Sequence, residues 1–219
     1  MNNEEAKTLV RCVFQSIEHA ESEYDFGNIV EKDPILKKNR FDPSKYPDLK
    51  ISLTVDDIAN LKKSGILSGE NKILPVKETS SHTALEKLLY SVLWKNGDLG
   101  KEVHIVEGVL STEEGKDDSS KENGLVFYQY GKHLAKREEP IVDQHTIRAF
   151  LLFKNLNSSD SVVTIIRKKG TLEREDLLAF KEWIALRTNG GVEQQFHIDK
   201  VLFALGKSIK ITRSKRKST

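Results

Sequence analysis

Over most of its length this sequence repeats apolar residues at steps of three and four, the spacing of one helical face, and that periodicity points to a mainly helical fold. Through about Ala20, the residues Ala6, Leu9, Val10, Val13 and Ile17 form one such stripe. From Ser81 onward the pattern is almost wholly helical. Thr83-Ala84-Leu85-Glu86 has capping-box spacing, and Ala84, Leu85, Leu88, Leu89, Val92 and Leu93 predict a core helix that ends at Trp94. The turn Lys95-Asn96-Gly97-Asp98 follows, then a helix around Lys101 to Leu110 with Val103, Val106 and Val109 in step. Val126 to Leu134 predicts a helix carrying Phe127, Tyr128 and Tyr130. Asp143 opens another, with Ile147, Phe150, Leu151 and Leu152 facing inward. Thr171 caps a helix running to about Arg187, with Leu172, Leu178, Phe180, Trp183 and Ile184 as its buried residues, and the last helix carries Ile198, Val201, Leu202 and Leu205.

The remainder reads differently. Between Asp25 and Asp48 the chain gathers Gly27, Pro34, Pro43 and Pro47 among charged residues, which predicts an extended connection and the domain boundary. Leu49-Lys50-Ile51-Ser52-Leu53 alternates like a short strand, Thr54 looks like an N-cap, Gly65 stops that helix, and Ile73-Leu74-Pro75-Val76 returns as a second strand. The expected architecture is therefore a mostly α-helical bundle with a small α+β N-terminal appendage: residues 1–80 as helix, linker and strand-helix-strand unit, 81–207 as the helical domain, and 208–219 as a basic tail. Ser111 to Asn123 holds five acids, two lysines and no apolar residue, so it reads as a solvated loop.

Composition narrows the function classes. With 219 residues, 37% hydrophobic and 31% charged, the chain suits one domain or a domain with an appendage. No stretch nears the roughly 18 apolar residues of a membrane span, and the start lacks the pattern of a secretory signal, so a cytoplasmic protein with no membrane partner is expected. One cysteine, Cys12, excludes an internal disulfide, a four-thiolate zinc site and a cysteine-ligated cluster. The six histidines are scattered one to an element, and no metal site or cofactor is expected. Nucleotide-binding glycine loops, a nucleophile elbow and a zinc-binding histidine pair are all lacking. Charge is placed unevenly: from Lys207 onward there are six basic residues, among them Lys210 and Arg213, and no acid, leaving 29 basic residues against 33 acids before it. A basic tail on a mildly acidic body suits a polyanion, because each lysine or arginine placed on a phosphate releases counterions.

The most informative run is Pro140-Ile141-Val142-Asp143-Gln144-His145-Thr146-Ile147-Arg148, where a carboxylate follows two apolar residues and opens a helix. It resembles the helix-hairpin-helix DNA glycosylase superfamily, the endonuclease III and 8-oxoguanine glycosylase types. By that resemblance Asp143 falls on the catalytic aspartate, His145 on the family's His or Asn, and Arg148 on a basic residue one turn on. Ala84 to Asp98 is similar to the family's early core helix and the polar turn that enters the DNA stack, and Ile198 to Lys207 to its closing helix. The resemblance covers Thr83 to Lys207. Two features of the family are missing: the Leu-Pro-Gly-[Val/Ile]-Gly hairpin, of which only Gly124 remains, and a lysine at the Schiff-base position, which falls near Leu125 with Lys121 or Lys132 as poor substitutes. The resemblance therefore implies a monofunctional enzyme acting on duplex DNA that bears a modified or damaged base.

In such chemistry a carboxylate stabilises the sugar as its N-glycosidic bond breaks, and the base must first leave the stack. Trp94, Tyr128 and Tyr130 are candidates for the pocket wall, Gln129 for reading a base edge, Asn96 for the wedge, His145 for substrate contact, and Lys95, Lys132, Arg148, Lys207, Lys210 and Arg213 for the DNA backbone. The same residues also have plainer roles. Asp143 stands where a helix N-cap belongs, and aromatics at helical spacing are common in cores. A helical module that binds nucleic acid or protein without chemistry is the alternative. Pro47-Asp48 with Glu70-Asn71-Lys72 also mimics a magnesium-dependent PD-(D/E)xK nuclease, although Gly69 to Lys72 has turn composition.

Overall fold

The computed structural model describes residues 1–45, 51–75, 83–114, 123–168, 172–189 and 191–209. In chain order its helices are α1 (Asn3–His19), α2 (Glu23–Lys32), α3 (Pro34–Lys38), α4 (Val55–Lys63), α5 (Ala84–Asn96), α6 (Glu102–Glu114), α7 (Leu125–Ala135), α8 (Gln144–Lys154), α9 (Val162–Lys168), α10 (Arg174–Thr188) and α11 (Val192–Ser208). The chain divides into two compact units. One joins Met1–Leu49 to Val142–Thr219, and the other is Lys50–Ile141. This division differs from a linear cut near residue 80, because the N-terminal helices pack with the C-terminal ones.

In the discontinuous unit, α1 begins with a capping box between Asn2 and Glu5 and buries Ala6, Val10, Val13, Phe14 and Ile17. A cap contributes about 1 kcal/mol, whereas each large apolar side chain buried contributes about 1.5–3 kcal/mol. Docking therefore holds α1 in place more than local propensity does. Phe14 stacks on Phe153 of α8 with ring centroids 3.9 Å apart and lies 5.1 Å from Trp183 of α10. Phe150 meets Phe180 edge-on at 5.3 Å, so an aromatic cluster joins α1, α8 and α10. Helix α11 buries the largest number of residues of the described helices, with Ile198, Val201, Leu202, Phe203, Ala204, Leu205 and Gly206 all inside. At its end α11 passes so close to α8 that a Cβ on Gly206 would collide with the carbonyl oxygen of His145.

The contiguous unit rests on α6 and α7, again through glycine. A side chain on Gly131 would strike the backbone of Ile105, and one on Gly108 the backbone of Tyr128. Helix α4 packs on α6 through a small core of Ile58, Leu67, Val106 and Val109.

Several expectations need correction. No α+β appendage forms: among the described residues there is no strand, and the only sheet-like pairing is an isolated bridge between Leu67 and Ile73. The Leu53 amide donates to the Leu134 carbonyl at the end of α7, so the short alternating run finds a helix terminus in place of a strand partner. Leu49, Lys50 and Val76 lie outside the described residues. The predicted extended connection contains α2 and α3. Ser22 and Asp25 form a capping box, Asp33 caps α3, and Pro34 sits in the first turn, where a missing N–H costs nothing. Helix α5 starts at Thr83 as expected but buries no residue. Leu85, Leu88, Leu89 and Val92 are 63, 61, 53 and 48% exposed, while Tyr90 and Leu93 are half-buried. Periodicity identified the helix without identifying its docked face. In α10 the buried apolar residues are Leu177, Phe180 and Ile184, with Leu178 outward. That helix begins after Glu173, and the expected cap Thr171 lies outside the described residues. The loop predicted from Ser111 starts later, because α6 continues to Glu114.

Substituting the contact glycines should separate packing from propensity. Gly206→Ala and Gly131→Ala overpack their helix contacts and should each lose about 1–3 kcal/mol. Gly27→Ala, in α2 with nothing within 4 Å of the new Cβ, should gain about 0.5–1 kcal/mol. Denaturant titration measures all three, and a Gly206→Ala protein as stable as the parent would contradict the close approach.

Candidate functional site at the start of α8

Asp143 is the N-cap of α8, in extended conformation after the buried Val142. Its Oδ1 accepts from the amides of His145 at 2.6 Å and Thr146 at 2.7 Å. Both bonds use one oxygen, and among the described residues Oδ2 accepts none. Thr146 is fully buried, and its hydroxyl donates to Oδ1 of Asp199 on α11 at 2.9 Å. One threonine therefore touches two carboxylates, by its amide and by its hydroxyl. Asp199 is half-buried. Burial first, and the charge of Asp143 second, push its carboxyl up to about 7, against the opposing pull of Thr146 and Lys200.

His145 and Arg148 join the same end. Arg148 Nη1 donates to the Gly206 carbonyl at 2.9 Å and to His145 Nδ1 at 3.1 Å. A guanidinium has no lone pair to offer, so Nδ1 accepts and the His145 proton resides on Nε2. The His145 ring stands edge-on to Phe203, 4.9 Å away. Burial draws the Arg148 guanidinium below its usual range, while the Asp143 charge opposes that shift. Lys207 is exposed, with Nζ 5.6 Å from the Phe203 ring centre. Asp143, His145, Arg148 and Lys207 are thus brought together within one unit. Lys210 and Arg213 lie outside the described residues.

The other candidates belong to the contiguous unit and separate into two groups. Trp94, Lys95 and Asn96 end α5 in exposed positions, and the helix closes at Gly97, whose φ of +69° is the left-handed conformation glycine tolerates. Tyr128 and Gln129 are buried in α7, 4 and 0% exposed. Gln129 Nε2 donates to Glu139 Oε2 at 2.9 Å and to the Pro140 carbonyl at 3.0 Å, while its Oε1 is buried with no hydrogen-bond partner among the described residues. Gln129 therefore cannot read a base edge as placed; its amide ties α7 to the segment before Pro140. The Tyr128 ring is likewise a packing group, with Lys132 Nζ 5.9 Å from its centre and 3.8 Å from Glu139. The Tyr130 hydroxyl is half-buried, which raises its pKa.

Two hollows lie in the discontinuous unit. One of about 470 Å³ is lined by residues of α1, α2 and α3, and one of about 180 Å³ is lined by Phe26, Phe41, His197 and Lys200; neither includes Asp143. Among the described residues no group of three or more His, Cys, Asp or Glu side chains is arranged to hold a metal. The nuclease-like pattern lies only partly within the described residues. Glu70 and Lys72 are exposed and pair with each other at 3.0 Å, and Pro47-Asp48 lie outside the described residues.

Thr146, Asp199, Phe203 and Gly206 fall within runs legible in the sequence, which assign none of them a role at the site. The available signal was Asp199 itself, an acid set among Ile198, Val201 and Leu202 on a buried helix. Comparisons with protein-family models, with curated proteins and with solved structures returned no significant match. Among the described residues no helix is long and apolar enough to cross a membrane.

The pairing predicts a pH dependence of stability. Asp199 holds its proton more tightly folded than unfolded, so the native state binds more protons between the ordinary aspartate range near 4 and about 7. Stability should fall as pH rises through that window, by a few kcal/mol at most, and level off above it. Asp199→Asn should remove this component. Parallel curves for the two proteins between pH 4 and 8 would refute the assignment.

Proposed function

We propose that this chain acts on DNA as a monofunctional, glycosylase-like protein, with Asp143 as the carboxylate that faces the sugar of an extruded base. The observation that carries the reading is that Asp143 is held rigidly through Oδ1 alone while Oδ2 takes no hydrogen bond among the described residues. A fixed negative charge with one unengaged oxygen suits a site where positive charge develops. In the reaction, the bond from C1′ to the base nitrogen breaks and its electron pair leaves with the base. The sugar becomes cationic beside the carboxylate, and a water adds at C1′ as it gives a proton to Oδ2; that proton then passes through solvent to the departed base, which restores the carboxylate. The products are the free base and an abasic sugar. Because the resemblance leaves no lysine at the family's Schiff-base position, the strand stays intact until alkali is added.

Arg148 and Lys207 supply positive charge at the same end, and in the sequence the basic residues Lys210 and Arg213 follow Lys207. Exposed Trp94 and Asn96 suit contact with unstacked bases through stacking and wedging. The second reading, a helical module that binds nucleic acid or protein without chemistry, is favoured by the use of Asp143 as a cap and by the burial of Gln129.

One substitution separates the readings, because asparagine caps a helix as well as aspartate does. Asp143→Asn should leave folding and DNA affinity intact and lower base release on the order of a hundredfold. The assay incubates the protein with duplexes bearing varied modified or damaged bases, then cleaves abasic sites with alkali. Equal base release by the parent and Asp143→Asn, or none from any duplex by the parent, would leave the binding module standing.

A further inference from the structure

Helix α11 grips the first turn of α8 at two points. Asp199 and Gly206 lie seven residues apart, about two turns along one face. Asp199 accepts the Thr146 hydroxyl, while Gly206 passes against His145 and offers its carbonyl to Arg148. The amides that fix Asp143 belong to that same turn, those of His145 and Thr146. We propose that Asp199 is a positioning residue: by holding Thr146 from α11 it fixes the amides that aim the Asp143 carboxylate. Its consequence for catalysis rests on the glycosylase-like reading, whereas the positioning itself does not.

Packing alone gives a poor account of this residue. Its neighbours Ile198, Val201 and Leu202 bury apolar surface, whereas an aspartate in such a place incurs a desolvation cost unless a specific partner offsets it. Thr146 is that partner. The bond also gives the buried threonine hydroxyl an acceptor on another helix, so it ties α8 to α11 as well as satisfying both groups. Asp143 from the α8 terminus and Lys200 on α11 are the charged groups whose fields reach Asp199. Charged groups on other helices packed on α11 engage elsewhere: Glu23 of α2 approaches His197 at 4.0 Å, Lys37 of α3 pairs with Glu31, and Glu18 of α1 pairs with Arg187 of α10.

The test uses the full chain with Asp199→Ala and Thr146→Val, which break the bridge, and Asp199→Asn, which keeps an acceptor for the hydroxyl. Hydrogen exchange at the His145 and Thr146 amides should quicken on the order of tenfold in the first two and return in Asp199→Asn, with α10 amides unchanged. Where base release is measured, Asp199→Ala should lower kcat on the order of tenfold at constant KM. Asp199→Asn should restore that kcat. Unaltered exchange at both amides in folded Thr146→Val and Asp199→Ala would overturn the positioning role. Asp143→Asn decides the glycosylase-like reading separately, since exchange reports on the bridge whether or not the protein releases a base.

Discussion

The contact between α11 and the beginning of α8 is the constraint on which the Asp143 end depends. It exists because residue 206 has no side chain: with any Cβ there, α11 would meet the His145 carbonyl and the two helices would have to part. At that separation the Gly206 carbonyl would no longer lie where Arg148 reaches it, and the Asp199 carboxylate would withdraw from Thr146. A single backbone approach thus sets two polar contacts at once. The aromatic cluster of Phe14, Phe150, Phe153, Phe180 and Trp183 supplies the apolar burial that makes such an approach sustainable.

Much of the helix pattern could be read in the sequence, because periodicity and caps are local properties. Asn3–His19 and Gln144–Lys154 follow directly from their apolar spacing, and Thr83 with Glu86 marks the start of α5. Errors arose where a local signal admits two outcomes. Pro34 among charged residues reads as a breaker, yet a proline after the Asp33 cap begins a helix. Leu49 to Leu53 alternates as strands do, but a strand needs a partner, and Leu53 instead bonds to the end of α7. Leu85, Leu88, Leu89 and Val92 form an apolar stripe whose burial depends on neighbours that the stripe itself does not specify.

The candidate site divides in the same way. Asp143, His145 and Arg148 lie within six residues, so the run that contains them could be recognised as a unit, and the structure does bring them to one helix terminus. Asp199 stands some fifty residues further on and reaches the terminus only through tertiary packing, which no local pattern announces. Gln129 shows the converse. Its place beside two tyrosines suggested recognition, but the Pro140 carbonyl and Glu139 engage its amide and burial closes it off. Polar residues inside helices have two explanations, an outward contact or an inward bridge, and only the positions of their partners decide between them.

The discontinuity of the first unit has a consequence for biosynthesis. Helix α1 leaves the ribosome early, yet the surfaces it covers, on α8 and α11, are made only after the whole of the other unit has been translated. At roughly 5–20 residues per second, its apolar stripe waits on the order of ten seconds or more for its partners. Throughout that interval Phe14 lacks Phe153 and Trp183, and α2 is the packing neighbour of α1 that has already been made. The contiguous segment between them can close its α6–α7 pair meanwhile, so nascent chains stalled before residue 142 expose the amphipathic N-terminus to chaperones and to one another.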